Sequence, residues 1–263
     1  MRKKYTLPIL NLLAYMGTLV VNGLANALPL NGVTTGELSD KYENLFVPAG
    51  LTFSIWGVIY VLLGIYVVYQ FVAARREGGS PLFVQLIGIW FFASCLANMG
   101  WIFAWHYDML PLSLIAMLAL LACLILAYVR LEVGHAGASQ GERNFVHLPF
   151  SVYLGWITVA TIANVTALLV SLGWNGFGIA DQWWAVALIA IGVVLAIVAL
   201  ATRHDIFYAL VIVWALAGIA LKRYLTTDPA GQPVLIAALA GIAILTVGIL
   251  VPVLRRRVYG PPV

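Results

Sequence analysis

Three short patterns carry the residues that could recognise a ligand. Phe53, Trp56 and Tyr60 stand at i, i+3 and i+7, and Gly64 follows four positions later. Asn98, Trp101 and Trp105 repeat that spacing, and Tyr153, Trp156, Ala160 and Asn164 extend it to i+11. On a helix each set falls on one face. Indole and phenol rings stack on flat apolar molecules, and a carboxamide can both donate and accept a hydrogen bond to orient them. The chemistry on offer is recognition. The sequence contains no HExxH, no Walker-type glycine loop and no serine–histidine–acid grouping, so hydrolytic and metal-dependent classes have no support.

The elements that must position these residues are membrane helices. Of the 263 residues, 63% are hydrophobic and 9% charged, and the mean hydropathy is +1.00. A soluble domain cannot keep that much apolar surface from water, and the apolar runs are too long for barrel strands. Eight spans are expected, over 6–28, 47–73, 82–105, 110–130, 146–172, 183–202, 205–222 and 233–254. The fold class is therefore an all-α membrane protein. Cys95 and Cys123 both fall within apolar runs and read as packing residues.

Charge sets the expected orientation. With the N-terminus inside, the inner segments hold eleven basic residues, among them Arg2, Lys3, Lys4, Arg255, Arg256 and Arg257. The outer ones hold three, Lys41, Lys222 and Arg223. That bias places both termini in the cytoplasm. The basic residues lie in short loops and tails, so the net charge of +4 does not point to nucleic acid. All ten acidic residues and all four histidines fall in loops or at helix ends, leaving no intramembrane carboxylate for a charge-coupled pump.

Helix 1 adds a polar stripe, Asn11, Tyr15, Thr18, Asn22 and Asn26, which must face the bundle because an amide facing lipid is costly. At about 1.5 Å per residue, Trp56, Asn98 and Asn164 reach a common depth, roughly 12–14 Å from the outer ends. Two readings of these faces stay open: an aromatic-walled pocket in the outer half of the bundle, or ordinary helix packing. Spacings such as Gly23/Ala27 suit close helix contacts, including those of a homodimer.

In order and position these motifs resemble the TspO/translocator-protein family, the tryptophan-rich sensory proteins. In "PAGLTFSIWGVIYVLLG" the pattern of the family's second helix is kept by Pro48, Gly50, Phe53, Trp56, Tyr60 and Gly64. Ala49 stands for a second proline and Leu51 for a tryptophan, and the stretch is one residue shorter between Phe53 and Trp56. "NMGWIFAW" matches the third helix, and "VYLGWITVATIAN" matches the fifth, with Val152 in place of proline.

The resemblance covers about residues 5–172. It implies a TspO-like five-helix transmembrane bundle over 1–172, followed by an extension of about three helices over 173–263. It further implies a bacterial inner-membrane protein with a cavity for a small apolar ligand, a tetrapyrrole such as porphyrin or haem, or a sterol. No cofactor is required. The site residues carried over are Phe53, Trp56, Tyr60, Asn98, Trp101, Trp105, Tyr153, Trp156 and Asn164. Transport, receptor-like sensing and porphyrin-degrading enzyme roles all attach to the family. An uncoupled transporter of a neutral metabolite is a further reading, as is a purely structural membrane protein. Residues 29–46 form a loop long enough to act as a lid. Glu37, Asp40 and Glu43 outnumber Lys41 there, a balance that opposes a porphyrin's propionates.

Overall fold

A computed structural model describes residues 2–27, 30–135, 137–226 and 228–259, without the side chains of 2, 3, 26 and 252–259. The side chains of Asn26, Arg2, Lys3, Arg255, Arg256 and Arg257, used in the sequence reading, lie outside the described residues.

Among the described residues all regular structure is helical. Eight long helices follow one another: α1 (Thr6–Ala27), α3 (Ile55–Arg76), α5 (Trp90–His106), α6 (Leu110–Arg130), α8 (Leu148–Ser171), α9 (Asp181–Arg203), α10 (Ile206–Thr226) and α11 (Gln232–Tyr259). Three short ones lie between them: α2 (Thr35–Lys41), α4 (Leu82–Ile87) and α7 (Gln140–Glu142). Seven of the long helices are long and apolar enough to cross a membrane. The third expected span is divided instead. Gly88 adopts φ 54°, ψ −126°, a conformation open only to glycine, and α4 ends there before α5 begins at Trp90. The remaining 17 residues of α5 stand at the short limit of about 17–25 for a crossing.

Local chemistry explains the other boundaries. Pro149 has no N–H to offer the carbonyl four residues back. The preceding turn, Arg143–His147, accordingly widens to a π-helix in which Leu148 N–H reaches Arg143. His204 ends α9 in the left-handed region at φ 51°.

Packing closes five of these helices into a ring. α1 lies against α3 and α5, α5 against α6, α6 against α8, and α8 returns to α3. Tyr66, Phe91 and Phe150 fill the inner half of the ring edge-to-face, with centroids 5.0–6.0 Å apart. Asn11 crosses from α1 to α3, donating to Gln70 Oε1 at 2.8 Å with both residues fully buried. α10 packs on the outside of α8, and α9 and α11 pack on α10 and on each other.

Candidate functional site

The 3₁₀ turn Gly50–Ser54 and the first turns of α3 deliver Phe53, Trp56 and Tyr60 to the end of the ring that carries α2. Trp56 is the hub. It stacks on Tyr60 (centroids 5.6 Å apart) and on Trp101 (5.8 Å), and meets Tyr153 and Trp156 edge-on, each at 6.2 Å. Trp101 stacks in turn on Trp105 at 6.1 Å, and Phe53 meets Trp156 at 5.9 Å. All seven aromatic residues singled out in the sequence therefore form one cluster. Each such pair contributes about 0.5–1.5 kcal/mol beyond its buried area, so the cluster is a packed wall as much as a binding surface.

The amides join helices. Asn98, fully buried, accepts from Asn22 Nδ2 at 2.7 Å and donates to the Tyr153 hydroxyl at 3.1 Å, linking α1, α5 and α8. Asn164 pairs with Ser113 Oγ at 3.1 Å, linking α8 to α6. Gly64 has a similar role. A Cβ there would lie 2.6 Å from the Tyr15 hydroxyl, which donates to the Tyr60 carbonyl at 2.8 Å, so the missing side chain lets α1 sit against α3.

Two spaces remain around the cluster. The inner one, about 30 Å³, is bounded by Phe53, Trp56, Trp101, Trp105, Trp156 and Asn164, with Thr35 above. It suits one small group rather than a ring system. The Trp101 and Trp156 indole N–H groups and the Thr35 hydroxyl, on three residues that line this space, are buried without a protein partner. The outer space is a groove of about 750 Å³ between α1 and α3, beneath α2. Phe53, Trp56 and Tyr60 form one wall and Asn22 belongs to the other. Gly23 and Gly57 also line it, and a Cβ at either would touch nothing within 4 Å. Asn98 and Tyr153 line neither space.

The sequence reading missed the groove. Its signal was a pair of glycines on facing helices: Gly23, which reads with Ala27 as a contact residue, and Gly57, which that reading does not single out.

Part of the segment read as long enough for a lid folds as α2, which lines the groove. Thr34 and Glu37 form a reciprocal capping box that starts it, and the hydrogen bonds from Thr34 hold the Glu37 carboxyl below its usual range. The far end is tied twice. Lys41 pairs with Asp108 on the turn after α5, and Lys222 of α10 pairs with Asp40. Tyr42 OH adds a hydrogen bond to Asp108 at 2.8 Å.

The hydrogen bond from Lys41 lowers the Asp108 pKa, and the same bond raises that of Lys41. Because Asp108 is depressed, its contribution is complete above the ordinary carboxylate value and fades as pH falls through the lowered one. Because Lys41 is raised, its contribution is complete below the ordinary lysine value and fades as pH rises through the raised one. The latch should thus be indifferent to pH between about 5 and 9 and sensitive to salt. Hydrogen exchange of the α2 amides should be flat over that pH window once corrected for intrinsic rates. It should speed up by about two- to fivefold in Asp108→Asn. An unchanged rate in that variant would remove the latch.

The comparisons bear on the whole chain. No curated protein and no solved structure matches it. A family described as TSPO-like protein matches over residues 8–251, a stretch that takes in α3 and its aromatic wall, the ring and most of α11. Together with the membrane-length helices, that match establishes an integral membrane protein of the TSPO type, and the chain belongs to the TSPO-like protein family.

Proposed function

We propose that the protein binds a flat, apolar small molecule in the groove between α1 and α3, with its face on Trp56 and Tyr60 and its edge under α2. The observation that carries this reading is the groove itself. Its volume of about 750 Å³ falls within the roughly 300–1,000 Å³ of small-molecule sites. One wall is stacked aromatic rings, and the facing wall includes Asn22, whose amide N–H groups are given to Thr18 and Asn98. A tetrapyrrole or a sterol has the required shape. Glu37 and Asp40 at the rim favour a neutral member of that class over one carrying carboxylates.

The same reading places the chain in a bacterial inner membrane with both termini cytoplasmic. With α5 counted beside the seven helices of membrane length, eight crossings return the chain to its starting side, and in that arrangement eleven inner basic residues oppose three outer ones.

Gly57→Leu supplies the test. Leucine at this exposed helical position fills the groove, meets no neighbour at its Cβ and raises helix propensity by about 0.5–1 kcal/mol. Trp56→Ala is a poorer probe because it empties the centre of the cluster. In lipid nanodiscs, protoporphyrin, haemin or the fluorescent sterol dehydroergosterol should change tryptophan fluorescence saturably. Gly57→Leu should weaken that affinity by about tenfold or more, some 1.4 kcal/mol, with thermal stability retained. No saturable change with any of the three probes, or an affinity untouched by Gly57→Leu, would overturn the assignment.

A further inference from the structure

A second cavity lies outside the ring and shares no residue with the groove. It measures about 440 Å³ and sits between the outer end of α8, the start of α9 and the segment that precedes α3. Its walls combine three kinds of group. Val165 and Leu169 of α8 and Leu188 of α9 are apolar. Trp174 and Trp184 present indole rings 5.1 Å apart at 57°, and Trp184 is fixed by donating its Nε1–H to the Gly176 carbonyl at 3.0 Å. Glu43 and Asp181 supply carboxylates.

The charge in this cavity has no internal answer. No lysine, arginine or histidine lines it. Among the described residues the two outer lysines are committed elsewhere, Lys41 to Asp108 and Lys222 to Asp40. Asp181 stands in the first turn of α9, where it also favours the helix dipole. Glu43 has no such role.

We propose that this cavity is a binding site for an organic cation with an apolar body. Indole faces attract a poorly hydrated cation through their negative centres, and two carboxylates add attraction without demanding full desolvation, since both are exposed. The aliphatic wall of Val165, Leu169 and Leu188 accepts the body. An anion is excluded by the same two carboxylates, and a small inorganic cation gains nothing from the rings. The chemistry is thus that of a quaternary ammonium or phosphonium amphiphile.

The test uses the full chain in phosphatidylcholine nanodiscs, with binding to empty discs subtracted. Tetraphenylphosphonium should bind saturably at one site per chain. Tetraphenylborate, with the same body and the opposite charge, should neither bind there nor compete. The double substitution Glu43→Gln with Asp181→Asn should weaken tetraphenylphosphonium binding by about tenfold, and Trp174→Leu should weaken it separately. Both acidic positions are exposed, so the double variant should keep its thermal unfolding midpoint. Binding unaltered in that variant, equal binding of tetraphenylborate, or no excess over empty discs would overturn the proposal. Loss of porphyrin or sterol binding in Gly57→Leu should leave this site untouched, which keeps the two assignments independent.

Discussion

Replacing Gly218 by alanine should detach α10 from the turn that starts α3, and the damage should reach the aromatic wall. A Cβ at 218 would lie 1.9 Å from Thr52 Oγ1, 2.8 Å from its Cγ2 and 2.9 Å from its Cβ. Thr52 is buried, so it has nowhere to turn. Two hydrogen bonds cross the same contact: Ala49 N–H donates to the Gly218 carbonyl at 3.0 Å, and Trp214 Nε1–H to the Thr52 carbonyl at 2.9 Å. Forcing an extra carbon into such a joint costs about 1–3 kcal/mol by overpacking alone, and more when backbone hydrogen bonds part with it. The next residue is Phe53, so the shift should also alter the groove. We expect a clear fall in the thermal unfolding midpoint in detergent, with faster hydrogen exchange in α2, which α10 also holds through Lys222 and Asp40. Thr52→Gly removes the three atoms nearest the new Cβ, so the double variant should recover part of the loss. Wild-type stability in Gly218→Ala, or no recovery in the double variant, would refute this account of the joint.

That joint also shows where sequence reading stops. Eight long helices were legible because lipid demands continuous apolar runs with their backbone satisfied internally. The break at Gly88 was not, since glycine is common in membrane helices and its required φ leaves no mark on the sequence. The stripes correctly bring Phe53, Trp56, Trp101, Trp105 and Trp156 together, because helical spacing fixes the face. Spacing does not say how much room several faces leave between them. Here the rings close on one another to leave about 30 Å³, and the larger space lies beside them, where Gly23 and Gly57 subtract side chains. Asn98 looked like a ligand-orienting amide, yet its donor and acceptor both serve neighbouring helices. The sequence of α9 to α11 has few interior polar groups, Tyr208 and Trp214 of α10 among them. Those two do bond to the ring, at Thr158 and Thr52. The attachment also depends on missing side chains, on a backbone carbonyl, and on pairings far apart in sequence, Tyr128 with Asp205 and Lys222 with Asp40, the latter across 182 positions.

Gly134 makes the complementary joint at the inner face, and Gly134→Ala should be the most damaging single-methyl change in the chain. Two costs coincide there. The residue stands at φ +86°, where any side chain is strained, and a Cβ would lie 1.7 Å from the Arg203 carbonyl oxygen and 2.6 Å from its carbon. Neither backbone can give way easily. Arg203 closes α9, and two residues on, Asp205 accepts from the Tyr128 hydroxyl at 2.8 Å and from Tyr208 N–H at 3.0 Å. Tyr208 OH then donates to Thr158 at 3.0 Å. This chain ties α6 and α8 of the ring to the turn between α9 and α10. Gly137 separates the two costs, since it stands at φ +122° with nothing within 4 Å of its Cβ. Gly137→Ala should therefore lose only the conformational component, about 1–3 kcal/mol, whereas Gly134→Ala should lose such a component and a further amount of about 1–3 kcal/mol from the clash. Thermal unfolding of the two variants in one detergent makes the comparison. Equal, small losses would mean that the loop merely passes α9. A large loss confined to Gly134→Ala would mean that the C-terminal helices are clamped to the ring at both faces of the membrane, so that the groove between α1 and α3 is held by all eight long helices rather than by five.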